Sequence, residues 1–404
     1  EQSRSGNRVE VEVDPVRKEA MQQGEVFVAR ERETEELNRH LSRALAGKGQ
    51  VSFVSGLAGS GKTALVRHFL ELALTMEPEL VVAMGTGNAQ TGISDPYLPF
   101  REALAMLTDE TAAERTAGKV PPENANRLLA LMASSVQILF DVAPYLFGLL
   151  IPGGKLVGAL GKTLAKKTGL MDRLDTLSGK GVADAGLVEP IADPSHVFEQ
   201  YTAFLHELSK KVPLILFLDD LQWADVASLN LLFHLGRHLE DSRVLVIGAY
   251  RPEDVALGRG GKRHPLEPVV NELTRYFGDV TVDLDAIPEE DNQRFVAELL
   301  DVERNCLSTD FRKALFSRTE GHALFTVELV QAMKDRGDLA RDADGCWVES
   351  PSLDWTALPA RVEGVVEERI ARLDDELLEL LMVCSVEGEE FTAEVVSRVQ
   401  STGE

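Results

Sequence analysis

Hydrophobic positions along the first 287 residues form short apolar runs that alternate with longer segments of helical periodicity. Leu37, Leu41 and Leu45 recur at i, i+4 and i+8 and predict a helix over residues 31–46. Five apolar runs predict strands, at residues 51–55, 80–84, 213–218, 244–249 and 279–284. Strands that alternate with helices are typical of a parallel sheet covered by helices on both faces.

Two stretches depart from this alternation. Between the second and third predicted strands, residues 100–210 are mostly helical in pattern and form an insertion. From residue 288 onward the pattern is helical throughout. We therefore expect four regions: a flexible arm (1–24), a domain built on the parallel sheet (25–287), an all-helical lid (288–357), and the truncated start of a helical or winged-helix domain (358–404).

An apolar segment at 135–161 lies inside the insertion and has two interpretations. Asp141, Pro144 and Pro152 interrupt it, so it does not predict a transmembrane helix. The lysines that follow it would suit an interfacial membrane segment. The Pro-Gly-Gly sequence at 152–154 instead indicates a turn between two core helices, and the sequence favours that interpretation.

Composition and charge narrow the function classes. Hydrophobic residues make up 44% and charged residues 27% of the 404 positions, which excludes wholesale disorder. The formal net charge of −24 repels phosphate backbones and anionic lipids, so we expect neither nucleic acid nor a membrane as a partner. Cys306, Cys346 and Cys384 are far apart and predict neither a disulfide framework nor a thiolate zinc site. A reducing, cytoplasmic location fits this cysteine usage.

Residues 56–63 read GLAGSGKT and match the phosphate-binding pattern G-x-x-x-x-G-K-[ST]. A predicted strand precedes the pattern and a predicted helix follows it, so backbone N–H groups and the helix N-terminus would face the same anion. Lys62 can reach the β- and γ-phosphates of a nucleotide, and the Thr63 hydroxyl can bind Mg²⁺. A glycine-rich turn without a ligand is the alternative interpretation. The predicted nucleotide contacts are Gly56, Ala58, Gly59, Ser60, Gly61, Lys62, Thr63 and Ala64.

A second candidate element is LILFLDDLQWAD at 214–225, where an apolar strand ends in Asp219 and Asp220. At the carboxyl end of a strand, the first carboxylate can hold Mg²⁺ directly or through water. The second can orient and deprotonate an attacking water. Such a pair is as often the N-cap of a helix. Its position downstream of a phosphate-binding loop favours the metal-binding and catalytic roles of a Walker B element.

A third candidate is Arg251, in IGAYRPED at 247–254. Because ligands collect at the carboxyl ends of parallel strands, Arg251 is predicted to sense the γ-phosphate. A surface ion pair with Glu253 or Asp254, worth little free energy, is the alternative. A nearby group of basic residues is expected to be solvated; it comprises Arg259, Lys262, Arg263 and His264.

These strings occur in an order that resembles one protein family. They are EVFVAR followed by ERE, GLAGSGKT, DPYLPFREAL, LDDLQWAD, AYRPED, GHALFTVELV and LPARVEGVVEERIARLDDE. Over residues 25–395 the sequence resembles the AAA-type, origin-recognition-like ATPase modules of bacterial signal-transduction ATPases with numerous domains (STAND). The resemblance implies ATP or ADP and Mg²⁺ as cofactors.

The resemblance also implies roles for individual residues. Thr63 and Asp219 match the Mg²⁺ positions, and Asp220 matches the catalytic acid. Arg251 matches the sensor that follows the fourth strand. The residues that match the adenine-flanking segment are Phe27, Val28 and Arg30.

Four positions qualify the resemblance. Arg275 lies where ring-forming relatives carry an arginine finger, although the residue pattern itself favours a solvated arginine at a helix end. Ala29 stands where the family usually has Gly. His322 and Ala323 stand where it usually has Asn and Pro, which puts the contact with the base in doubt. We expect His322 to be a loop residue, neither a ligand nor a base.

Together the patterns predict a three-layer α/β P-loop fold of the ASCE/AAA type, in which another strand lies between the phosphate-loop strand and the Walker B strand. They predict an ATP-binding, slowly hydrolysing regulatory switch within a larger multidomain signalling protein. Expected partners are a nucleotide, other domains of the same longer chain and further copies of the chain. Two alternatives remain: a nucleotide-locked interaction scaffold with little turnover, and an origin-recognition-like DNA-binding ATPase, against which the net charge of −24 argues.

Overall fold

A computed structural model of the protein describes residues 27–88, 96–109, 122–144, 146, 194–256, 258 and 263–351, with scattered residues between 353 and 382. The predicted arm at 1–24, the end of the apolar segment beyond 146 and most of the region at 358–404 lie outside the described residues. The chain divides after Asp291 into two compact units.

Helices and strands of the first unit alternate as the hydrophobic pattern predicts. They are α1 (Glu31–Leu45), β1 (Gln50–Ser55), α2 (Lys62–Met76), β2 (Val81–Thr86), α3 (Leu98–Thr108), α4 (Pro122–Val142), α5 (Pro194–Lys211), β3 (Leu214–Asp219), a 3₁₀ turn (Leu221–Trp223), α6 (Val226–His238), β4 (Val244–Tyr250), α7 (Pro252–Ala256), α8 (Leu266–Phe277) and β5 (Thr281–Asp283). Helix α9 (Glu289–Asp301) spans the boundary between the units.

The five strands pair in parallel in the order β2-β3-β4-β1-β5. β4 lies between β1, which precedes the glycine-rich loop, and β3, which ends in Asp219, so the predicted inserted strand is confirmed. Ser55 of β1 is in register with Tyr250 of β4, and Leu218 of β3 is in register with Gly248. The carboxyl ends of β1, β3 and β4 therefore meet at one edge of the sheet.

Successive residues of each strand contribute to two hydrophobic cores, one on each face of the sheet. Leu214, Leu216 and Leu218 of β3 pack in the core formed with α3 to α6 and α8. Ile215 and Phe217 pack in the core formed with α1 and α2. Helices thus cover both faces of the sheet, and the predicted three-layer α/β fold is confirmed.

Helix α4, in the insertion, covers the outer edge of β2. The buried Asn124 accepts a hydrogen bond from Val82 N at 2.8 Å and donates one to Val82 O at 2.9 Å. Arg127, one turn later, donates to the main-chain oxygens of Leu74, Glu77 and Leu80. Asn124 therefore satisfies main-chain groups of β2 that a neighbouring strand would otherwise pair, whereas Arg127 satisfies carbonyls of α2 and of the connection from α2 to β2.

The apolar character of α4 has a structural explanation. Residues Glu123–Val142 are long and apolar enough to cross a membrane by length and composition. Leu128, Val136 and Leu139, however, are buried in the core beside the sheet. This packing supports the core interpretation for the described part of the apolar segment.

The second unit contains the remainder of α9, α10 (Thr309–Thr319), α11 (Ala323–Arg336) and an antiparallel pair, β6 (Leu339–Arg341) with β7 (Trp347–Glu349). The expectation of an all-helical lid is therefore corrected by this hairpin. The contacts of Trp347, the first residue of β7, are consistent with an extended conformation of this segment. Its indole Nε1 donates to Glu303 at 2.7 Å, and its ring lies 4.9 Å from Lys334 and 4.8 Å from the Arg341 guanidinium.

The same hairpin brings two cysteines together. Cys306 N donates to Trp347 O at 2.9 Å, which sets Cys306 beside the start of β7. The side-chain sulfur and oxygen atoms of Cys306, Asp342 and Cys346 lie within 4.8 Å of one another, and both thiols are free. Spacing along the chain gave no sign of this pair, because a tertiary contact creates it.

Candidate functional site

The glycine-rich loop joins β1 to α2 at the carboxyl edge of the sheet. Gly61, the N-cap of α2, has φ +97°, a left-handed conformation that glycine adopts without strain. A Cβ added at Gly56 would lie 2.6 Å from Ser60 Oγ. The two fixed glycines of the sequence pattern are therefore required by the path of the loop itself.

Lys62 closes over this loop. Its Nζ donates to Gly56 O at 2.7 Å and to Leu57 O at 2.8 Å, and the residue is only 7% exposed. Burial lowers the pKa of Lys62, and the nearby positive charge of Arg251 lowers it further. Ser60 Oγ is buried and has no hydrogen-bond partner among the described residues. A buried cation and an unpaired hydroxyl on one loop fit a polyanionic ligand such as a phosphate chain.

Thr63 and Asp219 connect the loop to the end of β3. Thr63 Oγ1 donates to Asp219 Oδ2 at 3.0 Å, and Asp219 Oδ1 accepts from Asp220 N at 2.9 Å. Burial raises the pKa of Asp219, and the neighbouring carboxylate of Asp220 raises it further. A hydroxyl beside a carboxylate is a donor set that Mg²⁺ accepts, and a divalent cation would relieve the cost of burying the charge. These two residues could therefore hold a magnesium ion.

Asp220 occupies the N-cap position of the 3₁₀ turn, but its side chain does not perform the capping role that the sequence left open. It has φ +52°, an uncommon left-handed conformation for a non-glycine residue, and makes no side-chain capping bond. Asp225 performs the capping role instead, because its Oδ1 accepts from Ser228 N at 3.0 Å. Its Oδ2 also accepts from Tyr97 N at 3.1 Å. The Asp220 carboxylate, which caps no helix, lies at the carboxyl edge of the sheet and accepts a hydrogen bond from Gln222 Nε2 at 2.7 Å.

Arg251 follows the last residue of β4 at the same edge. Its backbone N donates to Gln222 Oε1 at 3.1 Å. The guanidinium lies close enough to Lys62 to lower the pKa of that ammonium. Two cations near one loop repel each other, and an anion between them would remove the repulsion.

The segment before α1 lies against α2, the helix that begins at the loop. The Phe27 ring stacks on His68 of α2 with 4.1 Å between centroids. Val28 and Arg30 are buried, at 4% and 7% exposure, and burial lowers the pKa of Arg30. Ala29 has φ +53°, a conformation that explains why the resembled family usually carries Gly there.

Arg275, a predicted catalytic residue, and His322, an expected loop residue, both lie at helix ends. Arg275, in the last turn of α8, is 75% exposed and pairs with Glu272 at 2.6 Å. His322, in the second unit, is the N-cap of α11, and its Nδ1 accepts from Phe325 N at 3.5 Å. An Asn would perform the same capping role.

Sequence reasoning missed three residues around the site. Asp285, just after β5, accepts from Leu57 N of the loop at 3.1 Å. Gln222 bonds to both Asp220 and Arg251, and was present in the quoted DDLQWAD string. The expectation that His264 is solvated is wrong: it is 1% exposed and contacts Gln222 O through Nε2 at 3.1 Å.

Its neighbour Arg263 is exposed as expected and pairs with Glu267 at 2.6 Å. Arg259 and Lys262 lie outside the described residues. The two described members of the basic group therefore differ in exposure: Arg263 is at the surface, whereas His264 is buried.

The chain is similar to two solved structures at low identity. One is the ORC1 protein of Aeropyrum pernix in complex with DNA, at 14% identity, covering 94% of this chain and 78% of that chain. The other is Drosophila ORC bound to DNA, at 13% identity, covering 100% of this chain and 81% of that chain. Both have a TM-score of 0.38.

No curated protein matches the chain. A family model described as AAA ATPase domain matches residues 26–247, which include β1, the glycine-rich loop and Asp219-Asp220. The match covers more than half of the 404 residues. The chain belongs to this family of AAA ATPase domains, AAA_16.

Proposed function

We propose that the chain is an ATP-hydrolysing regulatory switch module of a longer cytoplasmic signalling protein of the STAND type, in which the nucleotide state controls conformation or assembly. One observation carries the proposal: Thr63 Oγ1 and Asp219 Oδ2 are 3.0 Å apart, with Asp220 next to them. This contact joins the phosphate-binding loop to a carboxylate pair. A binding scaffold would need the loop, whereas hydrolysis also needs the second carboxylate.

Binding uses the residues of the loop. A Mg²⁺ ion, when bound, would supply positive charge to the phosphates. Thr63 and Asp219 would hold that ion. Lys62 would turn from the carbonyls of Gly56 and Leu57 to the phosphates, so that the buried ammonium exchanges neutral acceptors for a charged one. Phe27, Val28 and Arg30 would flank the base.

Hydrolysis would depend on groups at the ends of β3 and β4. The Asp220 carboxylate would orient a water for in-line attack and accept its proton. Arg251 would place positive charge near the γ-phosphate, which stabilises the transition state. Arg275, far more exposed than Lys62, would act in trans on the site of a neighbouring copy.

Single-turnover hydrolysis tests the proposal directly. With protein in excess over ATP, we expect ADP and phosphate to form in a Mg²⁺-dependent reaction that chelation stops. ATP that stays bound but intact over hours would contradict hydrolysis and leave the nucleotide-locked scaffold. A salt-dependent DNA shift assay addresses the origin-recognition-like alternative, and with a net charge of −24 we expect no shift.

A further inference from the structure

Gln222 joins the ends of two strands through the two ends of one amide. Its Nε2 donates to Asp220 Oδ1 at 2.7 Å, and its Oε1 accepts from Arg251 N at 3.1 Å. The residue is 1% exposed, although it belongs to a short turn between a strand and a helix. A buried amide that uses donor and acceptor at once has little freedom to rotate, because an unmade buried hydrogen bond is costly.

His264 holds the backbone of the same turn from the side of α8. Leu266 N donates to His264 Nδ1 at 3.2 Å, so Nδ1 is an acceptor. The ring proton therefore lies on Nε2, which donates to Gln222 O at 3.1 Å. His264 is 1% exposed and so is anchored where Gln222 needs it. The main chain of Gln222 is thus held by a buried imidazole, and its side chain is held by Asp220 and Arg251.

We propose that Gln222 is a positioning residue that sets the orientation of the Asp220 carboxylate and fixes it relative to Arg251. The inference rests on the proposed function, in which Asp220 acts on the attacking water. One carboxylate oxygen is occupied by the amide, so the other is directed to the reacting water. The 2.7 Å between Gln222 Nε2 and Asp220 Oδ1 is at the short end of the range for N–H···O hydrogen bonds.

The variant Gln222→Glu removes the donor while keeping the size of the side chain. It retains an oxygen to accept from Arg251 N but sets a second oxygen against Asp220. We expect the single-turnover rate to fall about 100-fold, because small misplacement of a reacting group has effects of that size. KM and the ATP-induced shift in melting temperature should stay unchanged, because the loop is untouched.

The chain offers a matched control. Gln137, a half-buried residue of α4, donates through Nε2 to both oxygens of the exposed Asp141, at 3.0 and 2.9 Å. Gln137→Glu therefore makes the same chemical change against the same kind of partner, away from the sheet edge. Its turnover should equal that of the wild type. A Gln222→Glu protein that turns over as fast as Gln137→Glu would overturn the inference.

A double-mutant cycle separates positioning from general damage. In an Asp220→Asn background, adding Gln222→Glu should cost no further rate, because no base remains to be oriented. If the rate falls by the same factor in both backgrounds, Gln222 acts only on structure and the inference is wrong.

Melting temperatures of the same four proteins test the contact without hydrolysis. Gln222→Glu alone should lower the melting temperature by about 2–4 °C. The double variant of Asp220→Asn and Gln222→Glu should regain the lost melting temperature. The amide introduced at position 220 can then donate to the carboxylate introduced at position 222. Additive shifts would contradict the inference. Absence of turnover in the wild type would count against the proposed function, while this cycle would still decide whether the contact exists.

Discussion

Two places in the first unit carry an arginine proposed to act on ATP, and they hold it differently. At the sheet edge, the backbone of Arg251 is bonded to a buried amide, and its charge acts on Lys62, which is 7% exposed. At the end of α8, the Arg275 side chain is 75% exposed and pairs with Glu272 on its own helix. A charge within a buried network can act on its own site. An exposed charge at a helix end needs a second surface to act upon.

We expect the largest effect on ATP hydrolysis from the variant Asp220→Asn, at the sheet edge that holds Arg251. Hydrolysis should slow about 100- to 10,000-fold, because the proposed general base is lost while the residues proposed to bind Mg²⁺ and the phosphates remain. Single-turnover assays with a parallel ATP-binding measurement would show this separation. Turnover at the wild-type rate would mean that another group accepts the proton.

Lys62→Ala should remove binding itself. Saturating nucleotide stabilises a protein by about 2.7 kcal/mol at a hundredfold excess over Kd. We expect that stabilisation to disappear in the variant, because the phosphates lose their buried cation. Thermal melts with and without Mg²⁺-ATP measure it, and an unchanged shift would refute the assignment of the loop.

Asp219→Asn should change how stability depends on pH. The pKa of Asp219 is raised in the folded state by burial first, so the folded protein holds a proton that the unfolded chain releases above about pH 3.8. The contribution of protonated Asp219 to the free energy of unfolding is fully present below about pH 3.8. It is lost as the pH rises through the pKa that Asp219 has in the folded protein.

Without nucleotide, Asp219→Asn should therefore gain stability relative to the wild type as the pH rises from about 4 to 7. Denaturation series at several pH values test this, and a constant difference would contradict it. The variant should also weaken the Mg²⁺ dependence of ATP binding.

Arg275→Ala should have the smallest effect in dilute protein. An exposed ion pair contributes about 1 kcal/mol or less, so stability and turnover should stay near those of the wild type. In protein that demonstrably self-associates, a finger supplied in trans would contribute about 1,000- to 100,000-fold to the rate. Hydrolysis measured against protein concentration distinguishes these regimes. If self-associated Arg275→Ala protein hydrolyses ATP at the wild-type rate, the finger hypothesis is wrong. Of the two arginines compared, Arg251 alone would then remain a candidate for a role in hydrolysis.

The fold was predictable where apolar runs are continuous. The run at 244–249 corresponds to β4 (Val244–Tyr250) and that at 51–55 to β1 (Gln50–Ser55), because strands covered on both faces are rich in apolar residues. The hairpin of β6 and β7 was missed since each strand has only three residues, too few to show alternation.

The candidate site was predictable where chemistry is encoded by local spacing. Thr63 and Asp219 were expected to share one ion, and they lie in contact. Gln222 and His264 were missed because their roles depend on the packing of β3 against β4 and α8. A buried polar contact between distant elements leaves no periodic trace in the chain.

The contact between Asn124 and Val82 has a consequence for assembly. Unpaired N–H and C=O groups along an outer strand are templates on which another copy can add a strand, and repetition of that step leads to fibrils. The side-chain amide of Asn124 bonds to both main-chain groups of Val82, so no further strand can pair with Val82 while this contact is in place. Another copy could therefore add a strand at this point of β2 only after Asn124 is displaced.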